Sequence, residues 1–152
     1  MWACAMYLAA ILGLMVVLPV ASILIEWMAS DGSDLLFITG KWFVFWAVGI
    51  RLLLAGIRQV AQPSFTAAQI FRITDPAAEK LVSEIGFGNL SMGLVAALTL
   101  LVPGWLIPAG LAGGLYLALA GIKHLTNSER TREENIAMIS DLGVAVVLAI
   151  AL

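Results

Sequence analysis

Five polar side chains lie within otherwise apolar stretches of this sequence, and they are the side chains most able to bind a ligand or move a proton. They are a guanidinium, two carboxylates, an amide and an imidazole: Arg51, Glu84, Asp141, Asn89 and His124. Inside a membrane such groups are costly unless they are partnered, so each is a candidate for a ligand-binding or proton-handling role. Whether they can act together depends on the helices that carry them.

The composition indicates an integral membrane protein. The chain has 152 residues, of which 62% are hydrophobic and 12% are charged, whereas soluble domains average about half apolar and about a quarter charged residues. The length fits a single domain. The net charge of −2, with the basic residues spread among the loops, excludes a nucleic-acid partner. The lipid bilayer is therefore the first predicted partner.

Five apolar runs predict an all-α bundle of five transmembrane helices, with a four-helix core and one additional helix. A span needs about 20 apolar residues, so the last run, of about 17, barely suffices. The first run lacks the basic n-region of a signal peptide and is predicted to remain as a helix. Segment 58–75 is predicted to connect two helices, either as a short helix on the membrane surface or as a loop. The predicted helices are 2–27, 35–57, 76–102, 108–124 and 136–152.

Polar residues also mark the helix ends. Asp34 can cap the second run, and Asp75 can cap the third because its side chain accepts from free N–H groups while Pro76 fills the first turn. On the outer side of the membrane, Glu26 near the end of the first run and Lys41 near the start of the second are expected to form a structural pair.

The basic residues predict the orientation of the bundle. Cytoplasmic connections carry an excess of Lys and Arg, and here most basic residues flank two connections on one side. These residues are Arg51, Arg58, Arg72 and Lys80 at one connection and Lys123, Arg130 and Arg132 at the other. We therefore expect a cytoplasmic N-terminus and a C-terminus on the outer side.

This orientation places the five polar residues together in the cytoplasmic half of the bundle. At 1.5 Å per residue their depths differ by roughly one or two helical turns. Arg51 could then pair with Glu84 or with Asp141. His124 could pair with the remaining carboxylate. Such pairs would either fix the helix arrangement or form a binding or proton-handling site.

Small residues recur on the predicted helix 108–124. Residues four apart on one face let two helices approach closely in lipid. The neighbour is either another helix of the same chain or the same helix of a second copy, so a homodimer through 108–124 is one expectation. The predicted packing residues are Gly86, Gly93, Gly110, Gly114 and Ala118.

No metal, nucleotide or covalent catalytic motif stands out. His124 is the only histidine, and typical metal or haem sites use several ligands. Cys4 is the only cysteine, so an internal disulfide and a C-x-x-C redox pair are excluded. There is no phosphate-binding loop and no nucleophile–base motif. A redox role would need a bound cofactor, which the sequence does not identify.

The stretch Ser83-Glu-Ile-Gly-Phe-Gly-Asn-Leu-Ser-Met-Gly93, the glycine-rich helix ending at His124, and Asn135 with Asp141 resemble a family of small, uncharacterised prokaryotic membrane proteins. The recurring pattern of that family is E-x-G-x-x-N-L-x-x-G, followed by a helix-terminal histidine and an N/D pair. The likeness covers residues 50–152. It implies a prokaryotic cytoplasmic (inner) membrane protein and no particular activity. The matching positions are Glu84, Gly86, Asn89, Gly93, His124 and Asp141.

A looser resemblance is to DoxX-like four-helix membrane proteins, which include quinone-linked redox subunits and accessory proteins. It rests on the chain length and on Arg51-x4-Gly56 in an early helix. The additional first helix and the long middle connection depart from that family. The resemblance implies a quinone as one candidate ligand.

Three functions are consistent with these five polar residues in the cytoplasmic half of the bundle. The first is a binding or accessory protein that holds a small amphiphile, quinone-like or lipid-like, against the five polar residues. The second is an oligomeric transporter in which Glu84 or Asp141 carries a proton. The third is a membrane enzyme with Glu84 and His124 as acid and base, which requires both side chains at a common cavity.

Overall fold

The structure of this chain, a computed structural model, describes residues 8–30 and 34–152, without the side chain of Glu133. Over these residues the fold is helical and contains no strand. Five helices in the same residues are long and apolar enough to cross a membrane. The predicted all-α bundle is thereby confirmed. Residues 2–7 of the first predicted helix, including Cys4, lie outside the described residues.

The helices differ from the predicted ranges mainly at their ends. The second continues to Ala61 and ends before Pro63, because a residue that precedes proline is disfavoured in the α conformation. The fourth long helix begins at Pro103 and the fifth at Arg132, both earlier than the apolar runs. In chain order they are α1 (Leu8–Ala29), α2 (Leu35–Ala61), α3 (63–70), α4 (Ala77–Leu100), α5 (Pro103–Thr126) and α6 (Arg132–Ala151).

Side-chain caps fix three of the helix starts. Asp34 accepts hydrogen bonds from two backbone N–H groups at the start of α2. Asp75 accepts one from Ala77 at 2.8 Å. Both caps confirm the sequence prediction. At α6 the side chain of Thr131 accepts from the Glu134 N–H while Glu134 accepts from the Thr131 N–H. This capping box starts α6 in the polar turn before its apolar run.

Pairs of glycines bring α2 and α4 together in antiparallel contact. Gly49 and Gly56 on α2 face Gly93 and Gly86 on α4, and on each helix the two glycines lie seven residues apart. A Cβ atom at Gly93 would lie 2.7 Å from the backbone nitrogen of Leu53, and one at Gly56 would lie 2.8 Å from the Gly86 carbonyl oxygen. The close approach therefore requires glycine, as small-residue interfaces in membranes do.

The glycines of α5 also pack inside the chain. A Cβ atom at Gly110 would meet side chains of Val44 and Leu152, and Gly114 faces Leu148. Gly110 and Gly114 are thus covered by α2 and α6. A homodimer through α5 stays a prediction, and it would have to use a different side of this helix.

The connection between α2 and α4 contains the short helix α3. Its residues Thr66 and Ala67 are buried, and Ala67 packs with Ala78 and Val82 of α4. Phe65 is exposed. Of the two predicted forms, helix or loop, the structure has the helix, and its contact with a membrane surface stays a prediction.

Among the described residues, the polar contacts between α1 and α2 lie near one end of α1. Glu26 accepts from the Lys41 ammonium group and, at 2.6 Å, from the indole N–H of Trp42. The pair expected between Glu26 and Lys41 is therefore present. One turn further into the bundle, the indole N–H of Trp46 donates to the Ser22 hydroxyl at 3.0 Å. The first half of α1 is held by apolar packing.

Candidate functional site

An ion pair between Arg51 and Asp141 joins α2 to α6. Nη2 of Arg51 donates to Oδ1 of Asp141 at 2.5 Å, and the two side chains are only 15% and 5% exposed. Arg51 directly follows a π-helical stretch, Val44–Ile50, a local widening that is frequent at functional sites. Of the two pairings open to Arg51 from the sequence, the structure has the one with Asp141.

Two further polar side chains stand at the same level of the bundle. Asn89 of α4 is 3% exposed, and its Nδ2 donates to Oε1 of Gln59 at 2.7 Å. Tyr116 of α5 lies close to the Asn89 side chain and within electrostatic range of both Asp141 and Arg51. Each of the helices α2, α4, α5 and α6 therefore contributes one polar side chain to this level of the bundle. We call Arg51, Asn89, Tyr116 and Asp141 the polar cluster.

Two buried atoms of the polar cluster have no hydrogen-bond partner among the described residues. They are Nη1 of Arg51, a donor, and Oδ1 of Asn89, an acceptor. Leaving a buried polar atom unpaired costs about 1–3 kcal/mol, and more when the group is charged. The cluster is therefore chemically incomplete, and a group that both accepts and donates a hydrogen bond would complete it.

Glu84 is turned away from the polar cluster. Its side chain is exposed on α4, whose buried residues include Val82, Gly86, Asn89 and Gly93. Among residues 8–30 and 34–152, no hydrogen bond or ion pair involves the Glu84 side chain. Five residues rotate an α-helix by about 500°, so Glu84 and Asn89 point about 140° apart. A ligand-binding or proton-handling role for Glu84 stays a prediction, but the structure does not bring it to the cluster.

His124 belongs to the turn between α5 and α6. Its Nδ1 lies 3.8 Å from Oε1 of Glu134, which also accepts from the Asn127 side chain at 3.2 Å. Nη1 of Arg130 closes the same turn by donating to the carbonyl oxygens of His124, Leu125 and Asn127. The carboxylate partner of His124 is thus Glu134, rather than either carboxylate considered from the sequence.

A groove of about 420 Å³ lies between α1 and α6. Ile11 and Met15 form part of its wall on α1, and Gly143 and Val144 part of its wall on α6. Ser140 adds a hydroxyl group to this otherwise apolar lining. Because Ser140 immediately precedes Asp141, the groove runs along the helix that carries the buried carboxylate. We call this feature the α1–α6 groove.

Metal binding finds no support in the described part of the chain. No group of three or more His, Cys, Asp or Glu side chains converges there in a way that could hold a metal ion. The polar cluster offers instead an ion pair, an amide and a phenol. Because Arg51 and Asp141 neutralise each other, this donor set suits an uncharged polar group that is held by hydrogen bonds.

Sequence reasoning missed Tyr116 and Gln59. Tyr116 lies in an apolar helical run, where an aromatic residue is read as packing, yet a buried tyrosine hydroxyl usually has a partner. The sequence predicts that α2 ends at residue 57, which leaves Gln59 in the connection and away from Asn89, whereas in the structure the two side chains are hydrogen bonded. Extending α2 by one turn would have placed Gln59 on the same helix as Arg51.

The fold is an all-α bundle whose described residues form five helices long and apolar enough to cross a membrane, and it encloses a buried polar cluster. A family model described as "Family of unknown function (DUF6790)" matches residues 5–152, and the chain belongs to that family. This agrees with the predicted membership of an uncharacterised family, whereas the resemblance to DoxX-like proteins and the motif pattern stay predictions. Comparisons with curated proteins and with solved structures give no match.

Proposed function

We propose that this protein is a binding or accessory protein that holds the headgroup of a small, uncharged amphiphile in the polar cluster. The observation that carries the proposal is the pair of buried, unpartnered atoms, Nη1 of Arg51 and Oδ1 of Asn89. Intramembrane polar groups are expensive and are usually retained for a function. A bound ligand would offset the cost of leaving these two atoms unpaired.

The chemistry of the two atoms limits the headgroup. Arg51 needs an acceptor and Asn89 needs a donor, and a hydroxyl group supplies both. The Arg51 charge is already balanced by Asp141, so an anionic headgroup would add an unbalanced charge to a buried site. A neutral headgroup with one or more hydroxyl groups, as in a quinol or an uncharged lipid, fits this arrangement best.

Native mass spectrometry of the protein released from its own membranes tests the proposal. The variant Asn89→Leu removes the unpartnered acceptor. Thr99→Val is a matched control, because Thr99 is also buried in α4 but bonds only to the Ala96 carbonyl of its own helix. We expect wild type and Thr99→Val to retain a neutral amphiphile that Asn89→Leu loses. Identical spectra for all three, with helical content confirmed by circular dichroism, would refute the proposal.

A second candidate is an oligomeric transporter in which Asp141 carries a proton. It is favoured by the burial of Asp141 beside Arg51, since protonation of the carboxylate would free the guanidinium group for an anionic substrate. In sealed vesicles that contain a pH-sensitive dye, this function predicts proton uptake that Asp141→Asn abolishes. Uptake at the rate of protein-free vesicles would exclude it.

The proposal locates the protein in the cytoplasmic membrane of a prokaryotic cell, with the polar cluster in the inner half of the bilayer. The support is the excess of Lys and Arg in the two connections on that side. Ser128→Cys, made in a Cys4→Ser background, is then expected to react with a membrane-impermeant maleimide only when the cells are opened. Labelling of intact cells would show that position 128 lies outside the cell and that the orientation is the opposite of the one proposed.

A further inference from the structure

We propose that one side of α4 pairs with the same side of a second copy of this chain, and that Glu84 of each copy binds Lys80 of the other. Five exposed residues that point away from the bundle form this side, which we call the α4 outer face. They are Lys80, Glu84, Gly88, Ser91 and Val95. Their spacing of three or four residues keeps them on one side of a helix. The proposal does not depend on the polar cluster or on its ligand.

Glu84 requires a partner that the chain itself does not supply. Its carboxylate makes no ion pair among residues 8–30 and 34–152. It lies seven residues after Ala77, the start of a helix long enough to cross a membrane, and therefore about 10 Å along that helix. Acidic side chains in such helices almost always face the bundle interior or a water-filled cavity, whereas Glu84 faces outward. The exposed carboxylate therefore indicates that another polypeptide covers this part of α4.

The charges of the α4 outer face select a second copy of the chain as that polypeptide. Lys80 lies one turn before Glu84 and is also exposed, and within one helix the described structure does not pair the two. When a two-fold axis runs along the bilayer normal, the two α4 helices are parallel and equal residues lie at equal depth. Each Glu84 is then about 6 Å in depth from Lys80 of the other copy, within reach of the flexible lysine side chain. The symmetry repeats the contact, so both carboxylates are neutralised.

Small residues deeper in the α4 outer face let the two backbones approach each other. A Cβ atom at Gly88 would meet nothing within 4 Å, so the packing inside the chain does not require glycine there, in contrast to Gly93. Ser91 is exposed and bonds only to the Phe87 carbonyl of its own helix. Small residues on one side of a transmembrane helix are typical of close helix–helix interfaces. The shape of this face therefore agrees with its charges.

Disulfide trapping in native membranes tests the surface. Gly88→Cys and Ser91→Cys, each made in a Cys4→Ser background, place one thiol on the α4 outer face. Leu115→Cys is the matched control, because Leu115 is exposed on α5 and lies eleven residues from Thr126, as Gly88 lies eleven from Ala77. A disulfide forms only where two Cα atoms approach within about 7 Å. We expect oxidation with copper phenanthroline to give dimers of the two α4 variants and none of Leu115→Cys. No dimer from either α4 variant, or an equal yield from Leu115→Cys, would overturn the proposal.

Charge reversal tests the ion pairs between copies. Lys80→Glu leaves two acidic side chains on the face, and Glu84→Lys leaves two basic ones. Association is measured in lipid vesicles by energy transfer between copies labelled through Ser128→Cys in a Cys4→Ser background. Each variant alone should associate at least about tenfold more weakly than wild type, because like charges then oppose each other. Lys123→Glu, the same change of charge at an exposed position of α5, should associate as wild type does.

A mixture of the two charge-reversed variants separates pairing between copies from pairing within one helix. Lys80→Glu in one copy opposite Glu84→Lys in the other places unlike charges at both contacts, so the mixture should form a heterodimer with about the affinity of wild type. An ion pair within one helix would not be restored by mixing. No association in the mixture, with helical content confirmed by circular dichroism, would overturn the proposed pairs. Wild-type association of each variant alone would also overturn them.

Discussion

Replacing the ion pair between Arg51 and Asp141 by apolar side chains should separate its structural cost from its role in binding. In Arg51→Met the Asp141 carboxylate stays buried without its partner, and in Asp141→Leu the Arg51 guanidinium does so. Removing one member of a buried ion pair costs about 3–5 kcal/mol. The two side chains are 15% and 5% exposed, so most of this cost should apply here. We expect each single variant to lose a stability of this size.

The double variant, Arg51→Met with Asp141→Leu, should behave differently. Replacing both members of a buried pair by apolar residues is often neutral, or stabilising by about 1–4 kcal/mol. The double variant should therefore be at least about 3 kcal/mol more stable than either single variant. It should also lack the amphiphile, because the donor Nη1 of Arg51 is gone.

Unfolding in mixed micelles of a mild detergent and sodium dodecyl sulfate, followed by far-UV circular dichroism, measures these differences. Ser91→Ala is the control, because Ser91 is exposed on α4 and bonds only to the Phe87 carbonyl of its own helix. A double variant whose loss equals the sum of the two single losses would refute the reasoning. A double variant that is stable and still retains the amphiphile would refute the role of Arg51 in binding.

Three other perturbations have expected results. Gly93→Ala should destabilise the bundle by about 1–3 kcal/mol, because the added Cβ atom would overlap the backbone of α2. Gly88→Ala should not destabilise the bundle in the same unfolding assay. Equal effects of the two variants would contradict the close contact between α2 and α4. Thr131→Ala should cost about 1 kcal/mol by removing the capping box of α6, and unchanged stability would contradict that cap. Glu26→Ala should cost about 1–3 kcal/mol, because it removes both the partly exposed ion pair with Lys41 and the acceptor of the Trp42 indole N–H. It should also change the tryptophan fluorescence, and an unchanged spectrum would contradict the indole hydrogen bond.

The fold followed from the sequence because hydropathy and helix-end signals are local. Asp34 and Asp75 cap the helices that they were expected to cap. The start of α6 was placed too late because the capping box of Thr131 lies in a charged segment outside the apolar run. Hydropathy thus marks the part of a helix in the bilayer, whereas capping marks its true end.

The candidate site was predicted only in part. Two criteria, the cost of a polar side chain inside a membrane and the predicted depth along each helix, selected Arg51, Asn89 and Asp141. The structure brings these three residues to one level of the bundle. The same criteria also selected Glu84, which is exposed, because depth does not describe rotation about the helix axis. The spacing of five residues between Glu84 and Asn89 already contains that information, since an α-helix places such residues on different faces. The partner of His124 could not be predicted, because Glu134 was assigned to a turn rather than to α6.

The attachment of α1 has a mechanical consequence. The polar contacts described for this helix involve Ser22 and Glu26 near one end, and the groove borders the opposite end. Tilting α1 about its Glu26 end would widen the groove toward the lipid without breaking a hydrogen bond, at the cost of apolar contacts that lipid tails can replace. Such a tilt would pivot near Glu26 and Lys41 and would let a molecule reach the groove from the side of the bundle.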